Sequence, residues 1–134
     1  MKEEDEIEPE EKKCKLVFIG DSGVGKTSII NRFVKGKFEN NIASTNGATF
    51  ANKKIIYNDK NICLQFDIWD TAGQEQFKSL TKFFYKDAGI AVLVYDITRI
   101  ESFNSLKNFW MKQLKNNSGS NISKIYIIYF YYYI

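Results

Sequence analysis

Histidine is missing from all 134 residues. Its absence excludes Ser-His-Asp and Cys-His triads, histidine-ligated zinc and any histidine general base. Cysteine is scarce. Cys14 and Cys63 alone cannot supply a four-thiolate zinc site or a multi-disulfide scaffold, and so few thiols suit a reducing compartment. A single proline, Pro9, argues against Pro-rich linkers. Long apolar runs are also lacking. The longest covers residues 125–134, too short to cross a bilayer core of about 30 Å as a helix. No secretory signal is expected, because the first residues are acidic and no apolar stretch follows them. Lys2 in place of glycine excludes N-myristoylation. Neither a transmembrane segment nor a lipidation motif is expected in these residues.

What is present suits one domain with a single core: 44% of the residues are hydrophobic and 16% aromatic. The net charge of +3 hides an asymmetry. Residues 1–13 hold seven acids against three lysines, and residues 14–134 hold sixteen bases against nine acids. The division expected is an acidic, disordered leader over 1–13 and a mildly basic domain over 14–134. Nucleic-acid binding is not expected of that body, since its lysines are scattered and no aromatic-basic patch stands out.

Along the chain, residues 14–19 read as a short buried strand ended by Gly20. Ile29, Ile30, Phe33 and Val34 recur at helical spacing over 27–34, and Gly36 is placed to stop that helix. Residues 38–49, rich in Asn, Ser and Thr, read as a loop. Residues 50–57 and 62–69 read as strands of a hairpin turning at 58–61. A loop running into a helix is expected over 74–87. The continuous apolar run at 90–95 is typical of a central parallel strand. Thr98 and Glu101 have capping-box spacing, ahead of a helix whose inward stripe is Phe103, Leu106, Phe109, Trp110 and Leu114. A polar loop over 116–123 precedes a last strand from Ile125. This order predicts an α/β fold with mostly parallel pairing.

The chemistry is concentrated in two segments. Gly20-Asp21-Ser22-Gly23-Val24-Gly25-Lys26-Thr27 matches the phosphate-loop pattern G-x-x-x-x-G-K-S/T, between an apolar strand and an amphipathic helix. Its glycines let successive N–H groups point inward at phosphate oxygens, and the helix N-terminus adds a favourable dipole. Lys26 is then expected on the β- and γ-phosphates and the Thr27 hydroxyl on Mg²⁺. Asp70 follows the strand 62–69, at the carboxyl end where α/β sheets gather ligands. It opens Asp70-Thr71-Ala72-Gly73-Gln74-Glu75. Asp70 is expected to hold a metal-bound water and Gly73 to offer its N–H to the terminal phosphate. Gln74 is expected to orient the attacking water.

Together these segments resemble the small GTPases of the Ras superfamily, the Rab branch in particular. Asn46-Gly47-Ala48-Thr49-Phe50, Phe84-Tyr85-Lys86-Asp87-Ala88 and Tyr95-Asp96-Ile97-Thr98 support the likeness, which runs from about Lys15 to about Lys115. The resemblance implies a P-loop NTPase (Ras-like) three-layer α/β fold. Its sheet would be mostly parallel with one antiparallel hairpin, incomplete at the C-terminus. It also implies a GTP-binding switch that hydrolyses GTP slowly, with a role in vesicle and membrane trafficking. GTP or GDP would sit at Asp21, Ser22, Gly23, Val24, Gly25, Lys26, Thr27, Ser28, Phe38, Thr45 and Gly73, with Phe38 beside the guanine and ribose. Mg²⁺ would be held by Thr27, Thr45 and Asp70; Gln74, Lys26 and Thr45 would carry hydrolysis. The switches would be residues 38–49 and 73–87. A GTPase-activating protein, an exchange factor and effectors at those switches are the implied partners, and a cytoplasmic protein with peripheral endomembrane association the implied location. Arg99, one of two arginines, is not expected to act as a catalytic finger.

Two departures stand out. Asn46 occupies an effector-facing position where Rab proteins carry isoleucine. The family reads guanine through Asn-Lys-x-Asp near residues 129–133, where this chain has Tyr129-Phe130-Tyr131-Tyr132-Tyr133, and no aspartate follows Asp96. A truncated or aberrant C-terminus would produce this. The competing expectation is therefore a non-catalytic P-loop fragment with weak, unselective nucleotide binding. The Asp70–Glu75 segment and the want of an arginine-rich lid argue against a nucleotide kinase.

Overall fold

The computed structural model describes residues 8–73, 81–119 and 122–130. Its elements, in chain order, are β1 (Glu10–Ile19), α1 (Lys26–Lys35), β2 (Ala48–Tyr57), β3 (Ile62–Thr71), α2 (Thr81–Tyr85), β4 (Ile90–Asp96), α3 (Ile100–Ser105), α4 (Met111–Asn117) and β5 (Lys124–Phe130). The strands form one sheet in the order β2-β3-β1-β4-β5. Only β2 and β3 pair antiparallel; β1 is parallel to β3 and β4, and β4 to β5. The expected hairpin is thus present. It turns through a short 3₁₀ segment, Asn58–Lys60, closed by Asn61 N–H donating to the Asn58 carbonyl at 3.1 Å.

Alternation along the central strands explains the continuous apolar runs. Val17 and Ile19 of β1, with Ala91 and Leu93 of β4, face a core completed by Tyr85, Leu106, Trp110 and Leu114. Phe18, Val92 and Val94 face the opposite way, onto Val24, Ile30 and Ile68. A strand buried on both faces needs no polar side. With α1 on one face and α2, α3 and α4 on the other, the layers are three, as expected. Helix α1 ends where Gly36 takes a left-handed conformation (φ 71°) and returns its N–H to the Arg32 carbonyl.

Three local expectations are corrected. Strand β1 begins at Glu10, inside the stretch 1–13 expected as a leader, because β3 is long enough to pair with it from Glu10↔Ile62 onward. The exposed Glu11 there accepts from Lys54 Nζ at 2.6 Å. Thr98 does not cap α3: its N–H and hydroxyl both go to Asp96 Oδ1, at 2.8 and 2.6 Å, and Arg99 is the N-cap residue. A capping threonine accepts a first-turn N–H through its hydroxyl oxygen, whereas this hydroxyl donates to Asp96 and lies one residue ahead of the N-cap position. A π turn, Leu106–Trp110, joins α3 to α4. It keeps Leu106, Trp110 and Leu114 in the core, whereas Phe103 is 40% exposed and stacks edge-on against Tyr95.

Candidate functional site

The loop between β1 and α1 lies at the carboxyl end of the parallel strands and bounds a cavity of about 180 Å³. Gly20 is obligatory for close packing, since a Cβ there would stand 2.2 Å from the Val94 carbonyl oxygen. Ser22, Gly23, Gly25, Lys26, Thr27 and Ser28 line the cavity, and so do Thr45 and Gly73 from the other side. Gly73 lies directly on the loop. A Cβ at that position would meet the Ser22 nitrogen at 2.2 Å, so only glycine brings the end of β3 this near.

Lys26 is 6% exposed, and its ammonium donates to the Gly20 and Asp21 carbonyls, both at 2.8 Å. Burial lowers its pKa to about 8, against the opposing pull of Asp70 and Asp21. A buried cation whose hydrogen bonds go to carbonyls is short of counter-charge, which an anion in the cavity would supply.

Three oxygens converge beside it. Thr27 Oγ1 donates to Asp70 Oδ2 at 2.5 Å and lies 2.9 Å from Thr45 Oγ1. Thr45 Oγ1 is 3.3 Å from the same Asp70 oxygen. Asp70 is 3% exposed, and its other oxygen, Oδ1, is buried with no hydrogen-bond partner among the described residues. Burial raises the Asp70 pKa; the Thr27 hydroxyl and the Lys26 charge oppose that. One carboxylate with an orphaned oxygen and two hydroxyls is a donor set that fits a hard divalent cation. Residues 27, 45 and 70 are far apart in the chain, and the fold brings their side chains together.

The remaining expected residues are distributed differently. The Val24 side chain is fully buried in the core beneath the loop, which leaves only its backbone for a ligand. Phe38 stands outside the cavity, 46% exposed. Asp21 turns its carboxylate away, accepting from Trp110 Nε1 at 2.6 Å. Gln74 lies outside the described residues. Thr71 was not foreseen at the cavity, and neither were Asn40, Ile42, Ala43 and Ser44, which also line it. The only signal for the latter four was their position between Phe38 and Thr45. Trp110 and Arg99, the latter donating to the Ser22 carbonyl at 3.0 Å, were missed as partners of the loop. No spacing rule connects residues 77 and 89 positions apart.

Comparison with known proteins agrees with this geometry. The profile of the Ras family matches residues 15–128. Similar proteins include the GTP-binding protein YPT52 of Saccharomyces cerevisiae, 45% identical over 120 residues, 85% of this chain and 51% of that protein. The human Ras-related protein Rab-22A is 45% identical over 111 residues, 83% of this chain and 56% of its own. The Ras-related protein Rab-31 of Rattus norvegicus is 46% identical over 111 residues, again 83% of this chain and 55% of its own. The chain therefore spans about half the length of the curated relatives it matches. With a phosphate loop, a Thr27–Thr45–Asp70 cluster and Rab-type relatives along the same stretch, this chain belongs to the Ras family as a Rab-like small GTPase.

Proposed function

We propose that the chain is a guanine-nucleotide switch of the Rab type, which binds GTP or GDP with Mg²⁺ and hydrolyses GTP slowly in membrane trafficking. The observation that carries this reading is the buried Lys26 beside the Thr27–Thr45–Asp70 cluster, on a single cavity walled by the phosphate loop. Lys26 would neutralise charge on the β- and γ-phosphates, and inward N–H groups of the loop would fix the phosphate oxygens. Thr27, Thr45 and Asp70 would hold Mg²⁺, which supplies charge neutralisation on the transferred phosphoryl group. Gln74 would orient the attacking water, whose oxygen bonds to the γ-phosphorus as the bond to the β-phosphate oxygen breaks, giving GDP and phosphate. Thr45 and Gly73 belong to different loops that meet at the terminal phosphate position, so loss of that phosphate would release both; these would be the switch segments 38–49 and 73–87. A GTPase-activating protein would accelerate hydrolysis, an exchange factor would open the site, and effectors would read the switches. Among the described residues no helix is long and apolar enough to cross a membrane; the peripheral association at endomembranes is proposed from the Rab-type relatives.

A second reading rests on one observation. Where the family's Asn-Lys-x-Asp would stand, Tyr129 and Phe130 continue β5 in register with Tyr95 and Asp96. The chain would then be a phosphate-binding P-loop module that holds nucleotides weakly and without regard to the base.

Titration calorimetry and single-turnover hydrolysis test the first reading. Lys26→Ala should lose roughly 1.5–3 kcal/mol of binding, the net worth of a charge-assisted contact. GTP binding as tight as the parent's would refute the phosphate-loop role. Gln74→Leu should keep binding and slow hydrolysis; an unchanged single-turnover rate would remove Gln74 from the mechanism.

A further inference from the structure

The phosphate loop is gripped from outside by the residue that caps α3. Arg99 Nε donates to Asp96 Oδ2 at 3.3 Å, and Arg99 Nη2 donates to the Ser22 carbonyl at 3.0 Å. Asp96 is itself well anchored. Its Oδ1 accepts from both donors of Thr98, and its N–H donates to the buried Ser102 hydroxyl at 3.0 Å. The root of the guanidinium is therefore fixed while its fork reaches the loop. Gly23, the next residue in that loop, has φ +74°, and the guanidinium is the nearest group to where its Cβ would be, at 3.8 Å.

A trans peptide is planar, with its C=O and N–H pointing in opposite directions. Drawing the Ser22 oxygen outward to Arg99 therefore turns the Gly23 N–H the other way, toward the cavity that Ser22 and Gly23 line. Nothing in glycine itself selects this orientation, because it accepts positive and negative φ about equally. Trp110, from the π turn behind α3, holds the preceding residue through the Asp21 carboxylate. Lys26 holds the Gly20 and Asp21 carbonyls. Arg99 adds the next peptide, Ser22–Gly23, to that series.

We infer that Arg99 is a positioning residue that fixes the Ser22–Gly23 peptide, so that the Gly23 N–H is presented to the phosphates before a nucleotide arrives. This rests on the nucleotide-site reading above and deepens it. Arg99 touches neither the cavity nor the reacting atoms; it acts through Ser22.

The test compares the full chain with Arg99→Ala and Arg99→Lys, isotopically labelled and observed by amide NMR, first free and then with GDP and Mg²⁺. In the free chain, Arg99→Ala should shift the Gly23 amide resonance. With GDP bound, release should be roughly three- to tenfold faster, a charge-assisted bond discounted for solvent exposure. The melting temperature should move little, since the Arg99–Asp96 ion pair is exposed. Arg99→Lys should restore part of the release rate, because an ammonium can still donate to Ser22 but lacks the fork. An unchanged Gly23 amide, or unchanged GDP release with a shifted amide, overturns the inference. If the parent itself failed to bind GDP, the proposed function would fall, and the free-chain Gly23 comparison would still decide the role of Arg99.

Discussion

The two ends of the candidate nucleotide site are built to different degrees. At the phosphate end, Gly20, Lys26, Thr27, Thr45, Asp70 and Gly73 come from three separated segments and meet within hydrogen-bond or van der Waals distance. At the end of β5, where the family reads its base, the backbone simply continues as strand through Phe130. The sequence there holds no carboxylate. Phosphate recognition as proposed would draw on backbone N–H groups and one buried lysine, all within the loop that the structure forms. Base recognition depends on a side-chain carboxylate accepting the two N–H groups of the guanine edge, and no backbone feature substitutes for it. Charge capture and base selectivity are thus separable properties of this fold.

The sharpest way to break that contrast is to add the missing chemistry. Tyr129→Asn, Phe130→Lys and Tyr132→Asp together place an Asn-Lys-x-Asp sequence after Ile128. Two charge-assisted bonds at roughly 1.5–3 kcal/mol each give about 3–6 kcal/mol, or roughly two to four decades of GTP affinity. Calorimetry should show the gain for GTP and not for ATP. An equal gain for both would mean that the contrast is misdrawn.

The next effect concerns the sheet that carries both ends. Leu93 of β4 is fully buried between them. Leu93→Ala should cost about 2–5 kcal/mol of unfolding free energy, as large-to-small core changes do. Chemical denaturation would measure it, and a loss under about 1 kcal/mol would show that this core is not as close-packed as the burial indicates.

The smallest effect lies at the far end of β1. Glu11 and Lys54 pair at 2.6 Å in the open, and the Lys54 hydrogen bond and charge hold the Glu11 carboxyl below its ordinary 4.5. Because the folded value is lowered, whatever the pair contributes is present above pH 4.5 and is lost as pH falls through the folded value. Exposed pairs are weak and salt-screened. Glu11→Gln should move the melting temperature by about 1 °C or less at neutral pH. A larger shift would make the β1 extension more than an edge of the sheet.

The parts legible in the sequence were those written locally. The phosphate loop is eight consecutive residues, and the strand before it and the helix after it are periodic on their own. Asp70 was singled out because a phosphate loop already demands a second metal ligand, and Thr45 only through the resemblance to the small GTPases. What the sequence hid is long-range or competitive. Trp110 was placed as a core residue, and it is one, 2% exposed. Its indole N–H also needs an acceptor when buried, and only the folded chain shows that Asp21 supplies it. The Thr98–Glu101 capping pattern failed because the Thr98 N–H and hydroxyl, both donating to Asp96, belong to the turn before α3, and the N-cap position falls on Arg99. The start of β1 was misplaced because charge composition marks solvation, whereas pairing with β3 decides where an edge begins.

The most direct measurement of the central claim is a competition titration of GTP, GDP, ATP and pyrophosphate on the chain with its own residues 129–133, in the presence of Mg²⁺. GTP and ATP bound within about tenfold of each other would favour the second proposed reading, and GTP preferred by two decades or more the first. Pyrophosphate should displace both, and Lys26→Ala should weaken all four ligands together. Binding of all four ligands that Lys26→Ala leaves unchanged would contradict the account, because the phosphate end would then not be what holds them.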